Sequence, residues 1–183
     1  MVAIFNDALL VGVFSESWSQ TRMCLLPKKG DLTLLTNYYL IPLINTNTKV
    51  FTRLVNARII PCVCPVISPI QTGFSAGKFI ADNSFATPLI MEYACYFRLP
   101  GIGLLLNQEK TYDCVYPTYL CLILLHIGFP LPLVLSLCNL FFSTIISILV
   151  KGYISGPVYQ NRGLCQGDPL SLVLFDLAFD PLI

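Results

Sequence analysis

Charge is scarce in this sequence. Asp, Glu, Lys and Arg make up 11% of its 183 residues, where an ordinary soluble domain carries about 25%. The net charge is +1. Bulk charge therefore gives no support for a polybasic nucleic-acid binder, although local basic patches stay possible. Histidine is scarcer still, with His126 alone. Cys62 and Cys64 are one residue apart, which is the wrong spacing for a zinc knuckle, so a structural zinc site is not expected. The start, MVAIFNDALLVGVF, has no basic n-region and is interrupted by Asp7, so no secretory leader is read. Without secretion a disulfide framework is not expected. The eight cysteines (Cys24, Cys62, Cys64, Cys95, Cys114, Cys121, Cys138 and Cys165) are then read as mostly free, buried thiols. No internal repeat or low-complexity linker stands out.

Apolar residues abound instead, at 55%. A chain of this length has room for one domain with a real core. No charged residue occurs between Asp113 and Lys151, and Leu131–Val150 is mostly apolar. About 20 apolar residues are enough to span a bilayer as a helix, so one reading is a membrane protein with a transmembrane helix near 131–150. Against it stand Pro130 and Pro132 at the start of the run, and Asn139, Ser143, Thr144 and Ser147 within it. Its second half, TIISILV, is β-branched and favours a strand.

Residues 20–28 read as a strand ended by Pro27 and the turn KKGD, and 37–45 as an extended segment that Pro42 confines to an edge. A helix follows, with Asn47 or Thr48 as cap, an apolar face of Val50, Phe51, Leu54, Val55 and Ile59, and Pro61 as its end. Residues 79–98 read as a helix kinked at Pro88, and 101–106 as a strand. Pro117–Ile127 and Leu131–Phe142 are predicted helices, the first opened by Pro117 and closed by Gly128. Ser143–Val150 and Tyr153–Tyr159 are predicted strands around the turn Lys151-Gly152. A last helix over 168–183 has Asp168 as N-cap and Pro169 in its first turn. Strands and helices mix without regular alternation, so the expected class is α+β with an antiparallel sheet.

Polar clusters interrupt this apolar chain at PKKGD (27–31), QTGFSAGKFIADN (71–83), NQEKTYD (107–113) and RGLCQGDPLS (162–171). The last is the most specific. Gly163 and Gly167 allow close backbone approach, and Gln166 precedes a helix N-terminus whose free N–H groups favour an anionic or nucleotide partner. A capped helix after a glycine turn would explain Gly167-Asp168-Pro169 equally well. Lys28 and Lys29 could be a solvated turn, and Tyr112 an ordinary core residue.

From about residue 22 to 183 the sequence resembles the reverse transcriptase domain of LINE-type, non-LTR retrotransposons. The resemblance rests on LLPKKGD, NYYLIPLIN, KVFTRLVNARI, ISPIQTGFSAGKFIADN, GIGLLLNQEKTYD, GFPLPLV, LFFSTIISILVKGYISGPVYQNRGLCQGDPLS and LFDLAFDPLI, which fall in the family's order and at family-like spacing. It implies the fingers and part of the palm of a right-handed polymerase, without a thumb. Residues 20–98 would be fingers-like and 99–183 a partial palm, with 1–19 poorly assigned. Its partners would be an RNA template, a DNA primer and a dNTP, and its cofactor Mg²⁺ or Mn²⁺, because two-metal nucleotidyl transfer needs carboxylate ligands. Its location would be intracellular, nuclear or cytoplasmic.

The resemblance also implies roles. Lys28 and Lys29 would approach the triphosphate. Gly73, Gly77 and Lys78 match a turn in which Lys replaces the family's Arg. Tyr112 falls at the bulky position that excludes a 2′-hydroxyl, and Gln166 and Gly167 lie along the incoming nucleotide. Arg162 would contact nucleic acid, and Asp113 would be structural. Asn107, however, stands at the family's metal-binding Asp, and Tyr39 at an Arg that helps hold the nucleotide. No aromatic-x-Asp-Asp block occurs in the 183 residues. A catalytically inactive fragment with no working metal site is therefore expected. Cys114, Cys121 and Cys165 fall where relatives commonly carry Arg, Tyr116 where they carry His, and Leu172 where they carry Pro. Each is reachable by one C-to-T transition on one strand or the other, as is Asn107 from Asp. A decayed element copy would account for the pattern.

Overall fold

The computed structural model describes residues 2–73, 77–150 and 152–182. The fold is α+β, with a five-stranded sheet and packed helices. Helix α1 (Val2–Val11) and the short α2 (Glu16–Ser19) lead into β1 (Gln20–Pro27), which turns back through residues 28–37 into β2 (Tyr38–Leu43). Helix α3 (Thr46–Val63), α4 (Ile80–Tyr96), α5 (Pro117–Ile127) and α6 (Leu131–Phe142) follow. Then come β3 (Ile145–Val150), β4 (Tyr153–Ile154), β5 (Val158–Tyr159) and α7 (Pro169–Phe179).

The sheet is mixed rather than wholly antiparallel. β2 and β1 pair antiparallel, with Met23 opposite Pro42, but β1 and β3 run parallel, with Arg22 opposite Ser147. The connection from β1 to β3, through β2 and α3–α6, has the length that a parallel pair needs. β4 and β5 both pair with β3, antiparallel and at different registers. Pro157 removes one backbone donor and Gly156 lowers strand propensity between them. The expected single strand 153–159 is therefore split. Lys151 of the expected turn lies outside the described residues.

Most helix positions follow from their end signals. Pro117 opens α5 and Gly128, at φ +99°, closes it. Asp168 caps α7 through the Leu170 N–H at 2.9 Å, with Pro169 in the first turn. α7 gives way to a 3₁₀ turn at Asp180–Leu182, and Ile183 lies outside the described residues. Two readings of α3 are corrected. Asn45 is its cap, accepting from the Asn47 N–H at 2.8 Å, because the chain turns helical one residue after it. Pro61 sits inside the helix on its exposed side, where only one ladder bond is lost.

Packing joins α3 to α7, α7 to α5, α5 to α6 and α6 to α1. Phe51, Leu120, Leu124, Leu137, Leu170 and Leu174 are fully buried at these contacts, each stabilising by roughly 2 kcal/mol relative to exposure. The N-terminal stretch, left open by the sequence, builds an aromatic cluster: Trp18 lies 5.3 Å from Phe51, and Phe5 and Phe14 pack edge-on against Phe51.

Three further expectations change. Among the described residues no helix is long and apolar enough to cross a membrane; the run 131–150 is instead α6 followed by β3, separated by Ser143 and Thr144. Cys121 and Cys138 are bonded to each other across α5 and α6, which face each other along the hairpin. Of the remaining cysteines Cys62, Cys95 and Cys114 are exposed and none is fully buried, because they lie on outer faces of their elements. Finally, 101–106 is irregular and open rather than a strand, with Ile102 98% and Leu105 96% exposed. An apolar run becomes a strand only where a sheet edge accepts its backbone bonds, and the described strands pair among themselves.

Candidate functional site

Two polar clusters 50 residues apart in sequence come together. Thr111–Cys114 forms a 3₁₀ turn after the irregular segment. Its carbonyls and that of Val115 receive the incoming loop: Gly163 N–H donates to Val115 O at 2.8 Å, and Leu164 N–H to Tyr112 O at 2.9 Å. Gly163 has φ +89°, and a Cβ there would stand 2.9 Å from the Asp113 Cα. Only glycine fits that approach. Gly167 also has a positive φ, +87°, but its Cβ position is open, so its requirement is conformational and not the close approach expected of it.

The loop is held from within by Gln160, whose Nε2 donates to Gly163 O at 2.7 Å. Cys165 donates its thiol to Gln160 Oε1 at 3.6 Å. Burial pushes that thiol up to about 11, with Asp168 and Asp113 adding repulsion to its thiolate. Gln166 is exposed at the tip, ahead of the α7 N-terminus. Arg162 donates to the Tyr116 hydroxyl at 2.7 Å and lies over its ring.

Tyr112 is half-buried and stacks on Phe175 of α7 at 4.7 Å. Burial raises its phenol, and Asp176 adds to the shift. Asp113 is exposed. Asn107 lies in the irregular segment and is exposed.

The other expected residues are elsewhere. Lys28 follows β1, donates to Thr36 O at 3.4 Å and sits 4.7 Å over the Tyr39 ring; Lys29 beside it is exposed. Lys78 grips the backbone of the preceding loop, at 2.6 Å from Ser68 O and 3.4 Å from Ile67 O. Of the turn before it, 74–76 lie outside the described residues; Gly77 has φ +78°.

Several site-shaping residues carried no sequence signal. Asp176 is buried in α7, with Oδ1 3.5 Å from Gln71 Nε2 and, among the described residues, no partner on Oδ2. Burial raises its carboxyl to about 7, Asp180 raising it further and Lys78 opposing. Asp180 accepts from Ser68 N–H at 2.7 Å. The two acids, one helical turn apart, thus fasten loop 68–71 to α7. Thr52 donates to Asp168 Oδ2 at 2.9 Å. A spacing of four between Asp176 and Asp180 was the one available hint.

No protein-family model matches the chain. It is 30% identical over 180 residues to the Transposon TX1 uncharacterized 149 kDa protein of Xenopus laevis. The chain is transposon-related. That similarity takes in 98% of this chain and 14% of the Xenopus protein, so the transposon-related segment spans about one seventh of its relative. The aligned length includes both clusters joined here, 107–115 and 160–168, since only a few residues fall outside it.

The resemblance would put a divalent metal pair on carboxylates converging at the end of 101–106. That position carries the Asn107 amide, open to solvent, and the described residues contain no group of three or more His, Cys, Asp or Glu able to hold a metal ion. The residues present do not fit such a centre.

Proposed function

We propose that this transposon-related chain is a fingers-and-palm segment of a LINE-type retrotransposon reverse transcriptase that does not polymerise by itself. The observation that supports it is the joining of Tyr112–Val115 to the Gly163–Asp168 turn. Tyr112 and the turn that carries the exposed Gln166 thus meet, which supports a shared role beside an incoming nucleotide. Lys28, Lys29, Lys78 and Arg162 would serve the triphosphate and the nucleic acid in an active relative. Here Lys28, Lys78 and Arg162 are engaged with Tyr39, backbone carbonyls and Tyr116. Weak nucleic-acid binding follows, with little salt dependence.

Inactivity rests on Asn107. A neutral amide does not offset the charge of metals and triphosphate, and losing a few kcal/mol of such stabilisation slows a reaction roughly a hundredfold or more. Primer extension on an RNA template with Mg²⁺ or Mn²⁺ is expected to give no product from the 183-residue chain. Asn107→Asp is expected to give none either, since these residues contain no Asp-Asp pair to complete the centre. Extension by the purified chain would overturn the reading.

A further inference from the structure

We propose that Thr52 is a positioning residue for the 162–168 turn, holding it against α3 through the Asp168 carboxylate. That the turn faces a nucleotide rests on the function proposed above; that Thr52 holds it does not. Thr52 lies in the middle of α3 and is completely buried. Its hydroxyl donates to Asp168 Oδ2 at 2.9 Å, across 116 residues of sequence. The other oxygen, Oδ1, caps α7 through the Leu170 N–H. One carboxylate therefore does two things. It starts the helix, and it moors the glycine turn just ahead of it to a different helix.

The mooring adds a tie to α3 beside the backbone bonds that hold the turn to Tyr112 and Val115. A small cavity of about 10 Å³ lies between Thr48, Thr52, Thr144, Cys165 and Asp168. Thr48, Thr52, Thr144 and Asp168 are all buried, and the Thr48 hydroxyl there has no partner among the described residues. Trp18, Ile44, Leu140 and Phe141 also line this narrow seam behind the turn. Gly167 in the turn is at a positive φ with open space around its Cβ position. On this side the Thr52 hydroxyl fixes the turn, and Lys49 is the cation near the Asp168 carboxylate.

Cys165 reports the turn's position. It is half-buried, and its thiol bonds only within the loop, to Gln160. Its alkylation by iodoacetamide at fixed pH, followed peptide by peptide, reads how often the turn lifts. Thr52→Val keeps shape and removes the donor. It is expected to speed Cys165 alkylation about tenfold, the opening expected from one lost buried hydrogen bond. The exposed Cys62 and Cys95 should be unaffected, and Thr52→Ser should restore the slow rate. An unchanged Cys165 rate in Thr52→Val, or a rise not rescued by serine, overturns the proposal. If Thr52→Val does not fold, Asp168→Ser is the second variant. It retains an N-cap but is too short to reach Thr52. Since loss of the Asp168 charge by itself eases ionisation of the Cys165 thiol, the turn is read there by amide hydrogen exchange at Gly163 and Leu164, whose N–H groups hold it to Val115 and Tyr112. Faster exchange supports the tie and an unchanged rate refutes it. No polymerisation is measured, so a failed tie and a failed polymerase reading are told apart.

Discussion

Asp176 shows how burial sets the behaviour of a single carboxyl. Its carboxyl is raised from the ordinary 3.8 to about 7, chiefly by burial. The folded chain thus binds this proton more tightly than the unfolded chain. The resulting stabilisation is fully present below about pH 4 and is lost as the pH rises through about 7. Urea midpoints are expected to fall across that window, and Asp176→Asn to flatten the dependence; a slope that survives the substitution would place its origin elsewhere. Thr48 offers a second test. Its buried hydroxyl has no partner among the described residues, so Thr48→Val is expected to stabilise by about 1 kcal/mol, since an unmade buried hydrogen bond is unfavourable by roughly that much. A lower urea midpoint in the variant would show that the hydroxyl is satisfied in solution. The burial of neither residue was legible in the sequence, because burial of one aspartate or threonine among many depends on what packs over it.

Secondary-structure elements were legible where their ends carry chemistry. Pro117 with Gly128, and Asp168 with Pro169, bound their helices as read, since these residues act on their own backbone. The cap at Asn45 and the passage of α3 through Pro61 were not legible, because a long helix docked on α7 tolerates one lost bond. The two glycines of the site turn separate local from tertiary demands. Gly167→Ala meets only the left-handed backbone penalty, about 1 kcal/mol. Gly163→Ala meets that and a backbone contact with Asp113, so a loss of about 3 kcal/mol is expected. Chemical denaturation of the two variants checks the order; equal losses would mean that the 112–115 segment yields to the added methyl.

At the level of the molecule, apolar surface is unevenly covered. α4 buries none of its residues, and Leu104, Leu105 and Leu106 stand in solvent beyond it. Exposed apolar area of this extent favours self-association. The irregular stretch is bracketed by Arg98 and Lys110, both exposed and both at φ +51°. Brief trypsin treatment is expected to cut at these two sites first, leaving the α1–α3 and α5–α7 core intact, because cleavage follows local opening. Early cleavage at Arg53 or Arg58 in α3 would contradict that division. A transmembrane helix at 131–150 is not favoured at this level: hydropathy sums over the run without seeing the helix end at Phe142 and a strand begin at Ile145.

The order of residues along the chain already dictated the α+β class, most helix limits, the glycine turn before α7 and the amide at position 107, because these depend on neighbours a few positions away. Packing alone decided the parallel pairing of β1 with β3, the meeting of Tyr112–Val115 with Gly163–Leu164, the tie from Thr52 to Asp168, and the open state of 101–106. Each of those pairs a donor with an acceptor, or leaves both to water, across tens of residues. Such partners are chosen by the whole fold, since a buried polar group is stable only where the tertiary structure brings its complement.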